Sequence, residues 1–144
     1  MDREEFIRMV EAGNPRTVFG PLGIRVAKYD PDEMQVALEI DERHHQHLGM
    51  LHGGVSALLA ESAASLAAAM SVDLRTHTVA GVDLNATHLR AKRTGSLVAT
   101  ARPLFRGRTT HAYAVEITDE TGALVCASRC TIAVGPRRAP AVET

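Results

Sequence analysis

The pattern of apolar and polar positions divides the chain into one long helix set between two groups of strands. Met34, Val36, Leu38 and Ile40 alternate with Gln35, Ala37 and Glu39, the period-two signature of a strand with one buried face. A strand-like run at 24–29 precedes it across Asp30-Pro31-Asp32, so the pair reads as a β-hairpin. Residues 55–70 are dominated by Ala and Leu, have strong helix propensity and are apolar nearly all round, which predicts a helix wrapped by other structure. Its one charged residue is Glu61. Four strand patterns follow at 79–90, 97–105, 109–118 and 124–134. They are separated by Gly95, by Arg106-Gly107-Arg108 and by Asp119-Glu120-Thr121-Gly122, the last two being hairpin turns. At the start, Asp2 and Glu5 form a capping box for a short amphipathic helix carrying Phe6, Ile7, Met9 and Val10, which ends at Gly13-Asn14-Pro15. The tail at 135–144 holds Pro136 and Pro140 and is expected to fray. This order predicts an α+β chain whose antiparallel sheet curls around the helix.

Composition adds bounds. The chain has 144 residues and 15.5 kDa, which is one domain spanning 1–144 with its core at about 20–134. At this mass about two-thirds of the surface of the unfolded chain can be buried, so disulfides are unnecessary. Cys126 and Cys130 lie in a strand-like run, on one face and about 13 Å apart, too far to bridge. Sixteen basic and 17 acidic residues give a net charge of -1, so no global field recruits nucleic acid or an anionic membrane. No apolar run is expected to span a bilayer and the amino terminus is unlike a signal peptide, which makes the cytoplasm the default location. Aromatics are only 3%, with no Trp, while Ala is abundant. Such a core leaves few large side chains to wall off a deep cavity, so a sizeable pocket calls for a second subunit.

The densest local signal is Gln46-His47-Leu48-Gly49-Met50-Leu51-His52-Gly53-Gly54, leading directly into the helix. Glycines at a helix start leave backbone N–H groups and the positive end of the dipole facing an incoming oxygen, which is the chemistry of an oxyanion hole. Glu61 follows two turns later among Ala, Leu and Ser. A carboxylate there requires a hydrogen bond or an opening onto a pocket, and desolvation would raise its pKa toward the range of a base. Ser65, one turn further on the same face, can hydrogen-bond the carboxylate or a water. Alternatively, Glu61 pairs with an Arg across a subunit contact, Gln46 caps a loop, His52 only stabilises its turn, and His88 is a hydrogen-bonded core residue. His44, His45, His47, His77 and His111 show no metal-ligand spacing, and His44-His45-x-His47 reads as a solvated loop. Ser62 has no partner His at a spacing that would make a Ser-His-Asp triad.

In series, Gln46-x-x-Gly49-x-Leu51-His52-Gly53-Gly54, Leu59-Ala60-Glu61-Ser62, Asn85-Ala86-Thr87-His88-Leu89-Arg90 and a final strand through Ser128 resemble the hotdog-fold acyl-CoA thioesterases. The similar branch contains phenylacetate-pathway thioesterases, 1,4-dihydroxy-2-naphthoyl-CoA hydrolases and the soil-bacterial 4-hydroxybenzoyl-CoA thioesterase that uses a glutamate. The resemblance covers about 20–134 and implies a central helix wrapped by a curved antiparallel sheet. It also implies homodimers, commonly joined into homotetramers, with active sites at the subunit interface. It implies Glu61 as nucleophile or general base, the Gly53 N–H as the donor that polarises the thioester oxygen, and His52 shaping the turn beside Gly54. Gln46 would reach the thioester or the water, Ser65 would orient the water, and Ser62 and His88 would lie near the acyl group. The glutamate favours the naphthoyl and hydroxybenzoyl side.

The implied substrate is an aryl- or medium-chain acyl-CoA, cleaved without metal or redox cofactor, coenzyme A being part of the substrate. For its phosphates the chain offers Arg90, Lys92 and Arg93, and Arg106, Gly107 and Arg108 at a hairpin tip, which could equally be solvated charges. Two other readings share the fold. A non-catalytic acyl-CoA sensor of the repressor kind would need a DNA-binding segment, for which the residues before Pro21 are too few. A hydratase would carry Asp and His near the helix start, where this chain has His52 followed by glycines.

Overall fold

The computed structural model describes residues 1–137, and the remainder of the expected tail, with Arg138 and Pro140, lies outside them. Helix α1 (Arg3–Gly13) starts at Asp2, whose side chain accepts from the Glu5 N–H at 2.8 Å. A 3-10 turn at Asn14–Arg16 and a short helix α2 (Phe19–Leu22) follow, neither foreseen from the pattern. Strands β1 (Arg25–Lys28) and β2 (Met34–Glu39) form the expected hairpin. Helix α3 (Gly53–Met70) comes next, then β3 (His77–His88), β4 (Ser96–Arg106), β5 (Thr110–Asp119) and β6 (Leu124–Pro136). The strands make one antiparallel sheet in the order β1-β2-β4-β5-β6-β3. The 135–136 stretch does not fray: Gly135 and Pro136 extend β6 opposite Thr78 and His77, and the Arg137 N–H donates to the Thr76 carbonyl at 2.8 Å.

Helix α3 packs on the sheet, against β2 through β6. Leu59, Ala60, Ala63, Ala64, Ala67 and Ala68 are fully buried there against Val36, Leu38, Leu97, Ala99, Ile117, Cys126, Cys130 and Ile132. Four of the six helix residues are followed or preceded by another Ala, and such small side chains let the helix backbone sit close to the strands. The expected helix wrapped by other structure is found, most deeply buried on its sheet-facing side. Gly54, Ala57, Leu58, Glu61, Ser62, Ser65 and Leu66 form the less buried side, on which Gly54 and Glu61 are exposed. The expectation about bilayer length also changes, since α3 by length and hydropathy alone could cross a membrane. Its row of buried alanines on the sheet instead makes it the core helix.

The two edges of the sheet differ. β1 is four residues long, whereas β3 offers twelve residues whose outer backbone edge has no neighbour among the described residues, with Val82 62% exposed upon it.

Candidate active site

The segment between β2 and α3 is built around a buried histidine. Asp41 caps a 3-10 turn (Glu42–His44), and its backbone N–H donates to His44 Nδ1 at 2.9 Å. His44 Nε2, which then carries the proton, donates to the Leu22 carbonyl at 2.8 Å. The His44 carbonyl accepts the His52 N–H at 2.8 Å. His45 Nε2 meets the Arg93 carbonyl at 2.7 Å. The solvated loop expected at His44-His45 is therefore corrected: His44 is wholly buried, and both rings brace backbone. Gly49, at φ +75°, turns the chain back where a side chain would be strained, and Arg93 Nη1 donates to its carbonyl at 3.1 Å.

This scaffold delivers His52 as the N-cap of α3. Its Nδ1 accepts from the Gly54 N–H at 2.8 Å, and its carbonyl from the Val55 N–H at 2.9 Å. The Gly53 N–H has no partner among the described residues, so it is the free donor at this helix end. Gly54, singled out from sequence as a binding residue, instead gives its N–H to the cap.

His88, at the end of β3, lies over Gly53: a Cβ on residue 53 would stand 2.6 Å from its Nε2. Gln46, Gly53, Ser56, His88 and Arg90 line one cleft of about 360 Å³, together with Met50 and Val125, which the sequence reading missed. The Gln46 side-chain oxygen accepts from the Leu48 N–H, as in the loop-capping alternative, and its NH₂ group remains as a donor. His88 is exposed, so it is no core residue.

Glu61 lies elsewhere. It is eight residues beyond Gly53, about 12 Å along the helix axis. Its carboxylate rests over Gly81 of β3, where a Cβ would collide with Oε1. A glycine inside a strand is the sequence signal that could have marked this seat. Glu61 forms no hydrogen bond or ion pair among the described residues, and the desolvation expected of it is absent in the single chain. Beneath it, burial first, then the Glu61 and Asp83 carboxylates, push the Cys130 thiol up to about 11, so this sulfur stays protonated. Ser62, Ser65 and Leu66 face a separate apolar cavity, closed on its other side by residues 9–19.

The residues proposed for phosphate divide as well. Arg90 borders the Gly53 cleft and donates from Nε to the Leu124 carbonyl at 3.2 Å. Lys92 is paired with Asp119 and Glu120 at 3.0 and 3.1 Å. Arg106 is ten residues along β4 from Ser96, the end that neighbours the cleft. It is held by Asp32 at 2.6 Å, the Pro31 carbonyl and the Tyr113 hydroxyl. Gly107 closes that hairpin under the Phe105 ring, with Arg108 exposed beside it.

A free N–H at a helix start and an unpaired carboxylate on the same helix suit attack on a polarised carbonyl. Comparison with known proteins agrees. The profile of the thioesterase superfamily matches residues 48–126. A 1,4-dihydroxy-2-naphthoyl-CoA hydrolase of Listeria monocytogenes is 44% identical over 117 residues, 81% of this chain and 94% of that protein. A proofreading thioesterase, EntH, of Klebsiella pneumoniae is 33% identical over 92% of this chain and 96% of its own length. The crystal structure of a mutant thioesterase from Pseudomonas aeruginosa superposes with a TM-score of 0.84 at 34% identity, covering 95% of this chain and 96% of that one.

Proposed function

The chain belongs to the thioesterase superfamily, with the hotdog fold and the activity of a thioester hydrolase, and from that premise we propose that it cleaves an aryl- or medium-chain acyl-CoA to the free acid and coenzyme A. The observation that carries the proposal is the single free N–H of Gly53 at the head of a helix whose other functional group is the exposed, unpaired Glu61. The acyl-CoA substrate is supported by the relatives named for acyl-CoA hydrolysis.

In this reading the Gly53 N–H, with the helix dipole behind it, binds the thioester oxygen as it gains charge, a contribution of about 3 kcal/mol for one such donor. The Gln46 NH₂ group approaches the same thioester or the attacking water. Glu61 acts in one of two ways. As general base it takes a proton from water while the water oxygen bonds to the carbonyl carbon. As nucleophile its own oxygen forms that bond, the thiolate leaves, and water then cleaves the anhydride. In both, the departing sulfur ends protonated as the coenzyme A thiol. Ser65, one turn after Glu61, holds the water, and the acyl group lies toward Ser62. Arg90, at the cleft, is a phosphate contact within reach of a substrate bound there, and the Arg106–Arg108 tip is a second that serves a neighbouring chain.

The two key groups cannot share one carbonyl within a single chain. Glu61 sits over Gly81 and Gly53 sits under His88, about 12 Å apart along the helix, whereas reacting atoms must approach within about 3.5 Å. Pairing β3 antiparallel with β3 of a second copy, with Gly81 opposite the other chain's His88, joins the carboxylate of one chain to the N–H of its partner. The unpaired twelve-residue edge of β3 supports this homodimer. A homotetramer would be two such dimers.

Thiol release from a panel of acyl-CoAs is the test. Wild type is expected to release free thiol, and Glu61→Gln to lower kcat by about 10²–10⁴ with an unchanged circular dichroism spectrum. Binding without thiol release by the wild type would remove the hydrolytic assignment. Appearance of labelled water oxygen in Glu61 after a single turnover marks the nucleophilic route.

A further inference from the structure

A cavity lies between the N-terminal segment and the stretch of α3 that follows Glu61. It is an open groove of about 360 Å³, its lining is almost wholly apolar, and no charged side chain lines it among the described residues. One wall is Ser62, Ser65 and Leu66 of α3, and the other includes Met9 and Val10 of α1 and Val18 after it. The inner wall begins one residue after Glu61 and continues one helical turn beyond it, so the cavity opens beside the carboxylate and runs away from Gly53. The outer wall is fixed in place. Phe6 is buried with its ring edge-on to Tyr29, the Tyr29 hydroxyl donates to Glu11 at 2.5 Å, and the Met1 ammonium meets Asp73 at 3.1 Å. Met9 and Val18 are nevertheless 46% and 48% exposed, apolar side chains with one flank uncovered.

We infer that Met9, Val10 and Val18 are specificity-determining residues: they form the outer wall of the acyl site and select uncharged, apolar acyl groups up to a size set by their bulk. The inference rests on the thioesterase reading above. A thioester whose carbonyl meets Glu61 and the Gly53 N–H of a second copy has its acyl group at the mouth of this cavity. An apolar tail there covers the wall residues, whereas a terminal carboxylate would be desolvated with no cation to receive it.

The test compares kcat/KM for butyryl-, decanoyl-, benzoyl- and succinyl-CoA among the wild type, Val10→Trp, Val10→Ala and Met9→Ala. Filling the cavity with Val10→Trp is expected to lower decanoyl and benzoyl turnover tenfold or more relative to butyryl, the scale on which an apolar pocket discriminates. Val10→Ala and Met9→Ala, which only remove atoms, are expected to shift preference toward larger acyl groups. Succinyl-CoA is expected to be the poorest substrate throughout. Ratios that stay unchanged, or a uniform loss across all four thioesters, would overturn the inference. The parent reading fails separately, by full activity of Glu61→Gln on every thioester.

Discussion

At the scale of single residues, side chains from other elements rest on two glycines, Gly81 and Gly53. Gly81 gives the Glu61 carboxylate its seat, and the displaced group in a Gly81→Ala variant would be the mobile end of a glutamate rather than backbone. The substitution is therefore expected to cost little in stability, within about 1 kcal/mol by thermal melting, while reducing kcat at least tenfold as the carboxylate moves off its line of attack. Normal turnover would show that this seat is not the working position of Glu61. The free N–H of Gly53 and the isolated charge of Glu61 were both legible in the sequence, because a glycine start and a lone acid in an alanine helix are local patterns. Contacts between Gly81 and Glu61, and between Gly53 and His88, were not. They depend on how β3 lies beside α3, a matter of register that no spacing records. His44 was misread for a similar reason, since its partners are the Asp41 amide and the Leu22 carbonyl, the latter far away in sequence.

Among the elements, β5 carries the clearest dependence on pH. His111 is 4% exposed, its Nδ1 lacks a partner among the described residues, and burial followed by the nearby Arg106 guanidinium lowers its pKa. The unfolded chain takes up a proton at this histidine near pH 6.5, while the folded chain resists until lower pH. Below that point the unfolded state binds more protons, so stability falls as pH falls. The difference between Tm at pH 7.5 and at pH 5.5 is expected to shrink in His111→Phe, which keeps an aromatic ring and removes the unpartnered nitrogen. An unchanged difference would assign the acid sensitivity elsewhere. Alternation located all six strands and alanine content located α3. The uneven burial of α3 was hidden, because its less buried side carries Ala57, Leu58 and Leu66, as apolar as the face on the sheet. β6 overran its expected end because Gly135 and Pro136 pair with the start of β3.

For the whole molecule, scarce aromatics already pointed to a pocket that one chain cannot wall off, and the separation of Gly53 from Glu61 gives that shortage a location. Charge on the free edge tests the pairing. Val82→Lys, an exposed position on β3, is expected to yield a folded monomer by light scattering with at least a hundredfold loss of thioesterase activity, because edge lysines block strand addition. A fully active monomer would contradict the two-chain site. The most direct measurement mixes two inactive parents by unfolding and refolding them together: Glu61→Gln, and Gly53→Pro, which removes the backbone N–H at the first helical position, where proline is tolerated. Sites shared between chains leave one intact site in each hybrid dimer, so thiol release is expected to return to about a quarter of the wild-type rate in a 1:1 mixture. A mixture as inactive as its parents would mean that Gly53 and Glu61 do not meet across two chains.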